Sequence, residues 1–134
     1  MAFSTRITVN FGDTDPAGLV YFPNLFHYCH ITMERFFELV CDTRYSQLIE
    51  EQHLGFPTVK IDAEFNAPLR HGDVVEVELT VLDVGRKSMT LGYTMTNSSG
   101  VVCVKVRQTV VAMDLTVHES VVIPEAIRDR LSIN

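Results

Sequence analysis

The sequence predicts an α+β domain in which a curved antiparallel sheet of five strands wraps one long helix. Three observations predict it. An apolar stripe recurs at three- and four-residue spacing from Phe22 to Val40, the segments on either side alternate with a period of two, and short turn-forming breaks separate the later strands. The order is strand, long helix, then four consecutive strands, and a wide apolar helix face in that order implies burial against the sheet.

The first strand is expected at "RITVNF", with Ile7, Val9 and Phe11 on one face. Turn chemistry follows, since Gly12, Asp13, Asp15, Pro16 and Gly18 all favour irregular backbone. The helix is "FPNLFHYCHITMERFFELV", and Pro23 fits its first turn, where a missing N–H costs little. A shorter helix is expected across "RYSQLIEEQHLG", ending near Gly55. After Pro57 the period of two returns. Val59, Ile61, Ala63 and Phe65 share one face, as do Val75, Val77, Leu79 and Val81, and then Met89, Leu91, Tyr93 and Met95. The last strand reads as the longest, "GVVCVKVRQTVVAMD", and "PEAIRDRL" as a short closing helix. Breaks at "RHGD", "GRK" and "NSSG" are hairpin-like and make the strands antiparallel neighbours.

With 134 residues, positions 1–134 are expected to form a single domain, large enough to fold without a disulfide or metal staple. Cys29, Cys41 and Cys103 are odd in number and lack metal-type spacing, so reduced thiols in the cytoplasm are the plain reading. The first residues lack the pattern of a signal peptide, and no apolar run is long enough to cross a membrane. A net charge of −6 argues against a nucleic-acid partner, because phosphate-backbone binding is driven by Lys and Arg. No glycine-rich phosphate loop, internal repeat or low-complexity tract is present.

The junction into the helix, "FGDTDPAGLVYFPN", contains D-x-D-P-A-G and Y-F-P-N. Together with the element order, it resembles the hotdog-fold acyl-CoA thioesterases, and among them the 4-hydroxybenzoyl-CoA thioesterase family. The resemblance implies a hydrolase that splits an acyl-CoA into a free acid and CoA. CoA would be part of the substrate and no metal or redox cofactor is needed. It also implies a homodimer joined edge to edge between sheets, often paired again into a homotetramer, with each active site shared between two subunits. Asp15, the second aspartate of the motif, takes the catalytic position, as nucleophile or as general base toward water.

The chemistry agrees with that placement. An aspartate, with a reference pKa of about 3.9, needs no further activation at neutral pH. The first N–H groups of a helix lack intrahelical partners and lie at the positive end of its dipole. Those around Tyr21 and Phe22 are therefore candidates for the oxyanion site, whereas Pro23 has no N–H to offer. Gly18 allows the chain to turn between acid and helix, and Asn24 is expected to orient the loop or cap a backbone group.

Phe26 is expected in the core first and the acyl-pocket wall second. His30 stands where substituted-benzoyl enzymes of the family can place an acid that binds the ring hydroxyl. For CoA phosphates, the "GRKS" turn offers Arg86, Lys87 and Ser88, with Arg70 and His71 as weaker alternatives.

Plainer readings compete with several of these. Asp13 and Asp15 also suit simple turn roles, and Asp13 is read as structural. His27 and His30 share a helix face but lack a third metal ligand, and Glu34 is a weak second candidate for the carboxylate. Ser88 and Cys29 lack a His–Asp partnership, which excludes a serine or cysteine hydrolase. The functional alternatives are a hydratase or dehydratase acting on a CoA thioester, and a non-catalytic acyl-CoA-binding module.

Overall fold

The computed structural model describes residues 2–132. Strand β1 (Ala2–Thr8) leads through an irregular stretch into helix α1 (Phe22–Leu39), followed by α2 (Tyr45–Gln52) and the short strand β2 (Leu54–Gly55). Then come β3 (Thr58–Phe65), β4 (Val74–Val84), β5 (Ser88–Thr96) and β6 (Val102–Val111), the short β7 (Met113–Asp114) and β8 (Glu119–Ser120), and α3 (Glu125–Ser132). The main sheet has the order β1-β4-β5-β6-β3, and all its neighbours are antiparallel. This is the expected five-stranded sheet with its helix, except that the "RHGD" break is not a hairpin: β3 pairs with β6 at the sheet edge, while β4 lies between β1 and β5.

Helix α1 packs against β1 and β4. It buries Leu25, Tyr28, Cys29, Met33, Phe36 and Phe37 in the same core as Val75, Val77, Leu79, Leu91, Tyr93 and Met95 of the sheet. Removing one large apolar side chain from water stabilises by about 1.5–3 kcal/mol, so this seam dominates the fold. Its polar atoms are matched: Thr32 donates to the Tyr28 carbonyl at 2.8 Å, and the Tyr93 hydroxyl donates to Gln108 at 2.8 Å. The three cysteines are free and buried. Burial pushes the Cys29 thiol up to about 12 and the Cys41 thiol up to about 11, which keeps both protonated and unreactive near neutral pH.

Four further expectations need correction. β1 ends at Thr8, and Phe11 instead begins a one-turn 3-10 segment where it is 76% exposed. The Asp13 carboxylate accepts the Asn10 N–H at 3.1 Å and turns the chain off the sheet before Phe11 can join the apolar face. Helix α2 ends at Gln52, because His53 adopts the left-handed region (φ 53°) and the chain leaves extended through Leu54 and Gly55. The last strand is interrupted at Ala112, whose N–H donates to the Lys87 carbonyl at 2.8 Å, and the chain beyond it joins a separate small sheet ordered β2-β7-β8.

The fourth correction bears on function. Val59 is 59% and Phe65 55% exposed, although they were expected on a buried face. β3 is an edge strand, away from the β1 and β4 side of the sheet on which α1 packs, and a register shift between Thr58 and Lys60 takes Val59 out of the ladder. Ile61, Ala63 and Phe65 still oppose Gln108, Val106 and Val104 of β6. The apolar alternation is therefore present in the strand, but this chain leaves it largely uncovered.

Candidate active site

The site begins as a tight hairpin. Thr14 and Val20 pair as an antiparallel bridge, the Asp15 N–H donates to the Leu19 carbonyl at 2.8 Å, and the Gly18 N–H donates to the Asp15 carbonyl at 2.9 Å. Closing this turn needs a left-handed residue, which is supplied by Gly18 at φ 81°. The hairpin is tied to one end of the main sheet, where Leu19 pairs with Arg70 and the Val20 N–H donates to the Leu69 carbonyl at 2.9 Å.

Within it, the two oxygens of Asp15 differ. Oδ1 accepts the Ala17 N–H at 2.9 Å and, more weakly, the Leu19 N–H at 3.4 Å. Among the described residues, Oδ2 has no donor. One oxygen holds the turn and the other is unengaged, so the structural and chemical roles of this aspartate do not compete.

Asp13 connects the hairpin to the helix. Its carboxylate accepts the Tyr28 hydroxyl at 2.8 Å, while its carbonyl accepts the Tyr21 N–H at 2.9 Å and the Asn24 side-chain amide at 3.0 Å. Burial and this carboxylate together hold the Tyr28 hydroxyl well above the ordinary tyrosine range, so it remains a donor. Asn24 and Tyr28 thus tie the helix to the loop through Asp13. Tyr28 was not anticipated as a partner, although it lies one turn beyond Asn24 and so on the same helix face.

These bonds separate the two expected oxyanion donors. The Tyr21 amide is already engaged by Asp13. The Phe22 N–H, first in α1, has no partner among the described residues, and Pro23 leaves the next position without a donor. A single unpartnered N–H therefore stands at the positive end of an 18-residue helix. Beside it lies a cavity of about 340 Å³ lined by Leu19, Val20, Phe22 and Leu25, with Phe65 to Leu69 and Val104 opposite. Its size is within the usual range for small-molecule sites, and the wall from Asn66 to Leu69 was not foreseen.

Asp15, Gly18, Tyr21, Phe22 and Asn24 share the hairpin and the helix start, although of these only Phe22 lines the cavity; the remaining candidates lie elsewhere. Phe26 is partly buried against the core and does not line the cavity. His30 lies beside α2, with Nε2 3.7 Å from Glu34 Oε2 and its ring edge-on to Tyr45 at 5.8 Å. Glu34 belongs to that cluster. Arg86, Lys87 and Ser88 sit at the opposite end of the sheet, next to Val111, whereas Arg70 adjoins the hairpin. β5 alone spans 9 residues, which puts the two ends roughly 30 Å apart at about 3.3 Å per residue.

Comparison with known proteins bears on the family and the fold. Residues 9–131 match the thioesterase-like superfamily. The chain belongs to that superfamily and has its hotdog arrangement. A 1,4-dihydroxy-2-naphthoyl-CoA hydrolase from Nostoc punctiforme is 30% identical over 118 residues, covering 88% of this chain and 73% of that protein. The chain spans about half the length, 53%, of a second such hydrolase, from Picosynechococcus. Among solved structures, a gentisyl-coenzyme A thioesterase is 27% identical, with a TM-score of 0.83 over 96% of this chain and 99% of its own. A 1,4-dihydroxy-2-naphthoyl-CoA thioesterase from Synechocystis shares the fold, with a TM-score of 0.89 at 22% identity over 98% of this chain and 96% of its own. The relatives support the superfamily without singling out the 4-hydroxybenzoyl-CoA branch.

Proposed function

We propose that the protein hydrolyses an aromatic acyl-CoA to the free acid and CoA, using Asp15 as nucleophile or general base and the Phe22 N–H as oxyanion donor. The observation that carries this reading is a carboxylate oxygen of Asp15 left without a donor in the hairpin that leads into α1, together with an unengaged amide at the helix start next to an apolar cavity lined by Phe22. The amide would bind the carbonyl oxygen as it becomes an oxyanion, and CoA would leave as the thiolate. The relatives named for hydroxylated aryl-CoA thioesters support a ring as the acyl group. The junction motif aligns the catalytic position with that of the 4-hydroxybenzoyl-CoA branch. No metal or redox cofactor is needed, because backbone N–H groups at the helix start supply the positive potential. Free thiols fit a cytoplasmic setting. Release of free thiol from a panel of aryl- and alkyl-CoA esters is expected to be fastest for hydroxylated rings. CoA-ester binding without thiol release, or hydration in its place, would sink the hydrolase reading.

The separation of Arg86 and Lys87 from Asp15 is resolved by two copies of the chain. β3 is an edge strand with an uncovered apolar face, a feature that favours strand pairing. An antiparallel two-fold pairing of β3 with its copy sets the Phe65 end of one strand beside the Thr58 end of the other. The copy's "GRKS" turn then approaches this chain's hairpin, so the site is shared within a dimer, and dimers can pair again into a tetramer. Ile61 lies near the middle of β3, and Ile61→Lys places like charges against each other across the two-fold. Sedimentation is expected to show a monomer that has lost most thiol release. A fully active monomer would exclude the shared site.

A further inference from the structure

The "GRKS" turn is held from outside by the C-terminal helix. Arg128 of α3 donates through one terminal nitrogen, Nη2, to the Gly85 carbonyl and the Arg86 carbonyl, each at 2.8 Å. The Arg86 carbonyl also accepts the Ile123 N–H at 3.0 Å, and the Lys87 carbonyl accepts the Ala112 N–H at 2.8 Å. Within the turn, the Gly85 N–H donates to the Ser88 carbonyl at 2.8 Å. Ile123 and Ile127, which flank Arg128, are buried in the core and fix α3 in place. Three consecutive carbonyls of a surface hairpin thus point inward onto fixed donors. The side chains of Arg86 and Lys87 remain exposed.

A hairpin tip with two mobile cations would ordinarily lose conformational freedom on meeting an anion, and that loss weakens binding. Here the backbone is ordered in advance. We infer that Arg128 is a positioning residue for substrate binding: by clamping the Gly85 and Arg86 carbonyls it presents Arg86 and Lys87 to the phosphates of the CoA nucleotide. This inference rests on the acyl-CoA reading above, and on this turn as its phosphate contact. Arg128 is half-buried and acts through the backbone, not by touching the substrate.

The test compares two thioesters carrying the acyl group that is turned over fastest in the panel, one on CoA and one on N-acetylcysteamine, which lacks the nucleotide. Arg128→Met is expected to raise KM for the CoA ester about tenfold with kcat within about twofold. KM and kcat for the truncated ester stay at wild-type values. Arg86→Met, read in parallel, should raise KM for the CoA ester alone. If Arg86→Met raises KM and Arg128→Met does not, the clamp is overturned while the phosphate site stands. If Arg128→Met depresses kcat for both esters equally, its role is structural and the inference is overturned. If Arg86→Met changes neither ester, the phosphate reading fails and the clamp falls with it. Should Arg128→Met not fold, Arg128→Lys takes its place. The lysine side chain ends one bond short of the Nη2 position that makes both bonds, so a rise in KM for the CoA ester alone is still expected, and an unchanged KM overturns the proposal.

Discussion

Asp15→Asn should leave the protein folded and lower thiol release by about 10²–10⁴ if the carboxylate is a general base, and by more if it is the nucleophile. The fold survives because the turn uses only Oδ1, which accepts from Ala17 and Leu19, and the amide oxygen of asparagine accepts the same bonds. The change falls on Oδ2, where a neutral NH2 replaces an oxygen that no described residue engages. Asp15→Ala is the informative companion. It removes the turn bonds as well, and is expected to lose about 1 kcal/mol of stability in addition to activity. Thermal melts and thiol release on the same samples separate the two effects. Wild-type turnover in a folded Asn variant would remove Asp15 from the chemistry. A single turnover in ¹⁸O-water tests the nucleophilic route: label in the Asp15 carboxylate requires an anhydride opened by water at the aspartyl carbonyl, an outcome that general-base catalysis does not give.

How much of this was legible in the sequence depends on the range of the forces involved. The α1 stripe and the alternation in β4, β5 and β6 were readable because period and burial coincide there, and the short turns at "GRK" and "NSSG" made those three strands neighbours. The turn at "RHGD" looks the same locally, yet the chain crosses there from one edge of the sheet to its interior, because β3 pairs with β6. β3 misled for the same reason. Its alternation was real, but burial depends on what covers the strand, and the covering surface we propose belongs to another copy. Phe11 was assigned to β1 because its spacing fits, yet a local bond from Asp13 to Asn10 ends the strand first. In the candidate site, the motif marked the loop that forms the hairpin, but which of the Tyr21 and Phe22 amides is engaged depends on where the Asp13 carbonyl points. A backbone carbonyl carries no signature in sequence. The same is true of Arg128, which reads as an ordinary charge in a short helix until α3 docks against a turn more than forty residues away in the chain.

That choice between amides leads to the second large effect. Phe22→Pro should delete the oxyanion donor while preserving the helix, lowering kcat by about 10²–10³. Proline is well tolerated at the first helical position, and it requires an extended residue before it. Tyr21, at φ −64° and ψ 125°, already has that conformation. The substitution also removes the Phe22 ring, which is 58% exposed and lines the cavity. Phe22→Ala therefore serves as the control: it keeps the N–H and loses the ring, so its defect should appear mainly in KM for the acyl group. The difference in kcat between Pro and Ala isolates the backbone donor, because both lack the aromatic side chain. Equal kcat values in two folded variants would show that the thioester oxygen is held elsewhere, and the Tyr21 amide, released from Asp13 on substrate binding, would be the next donor to test.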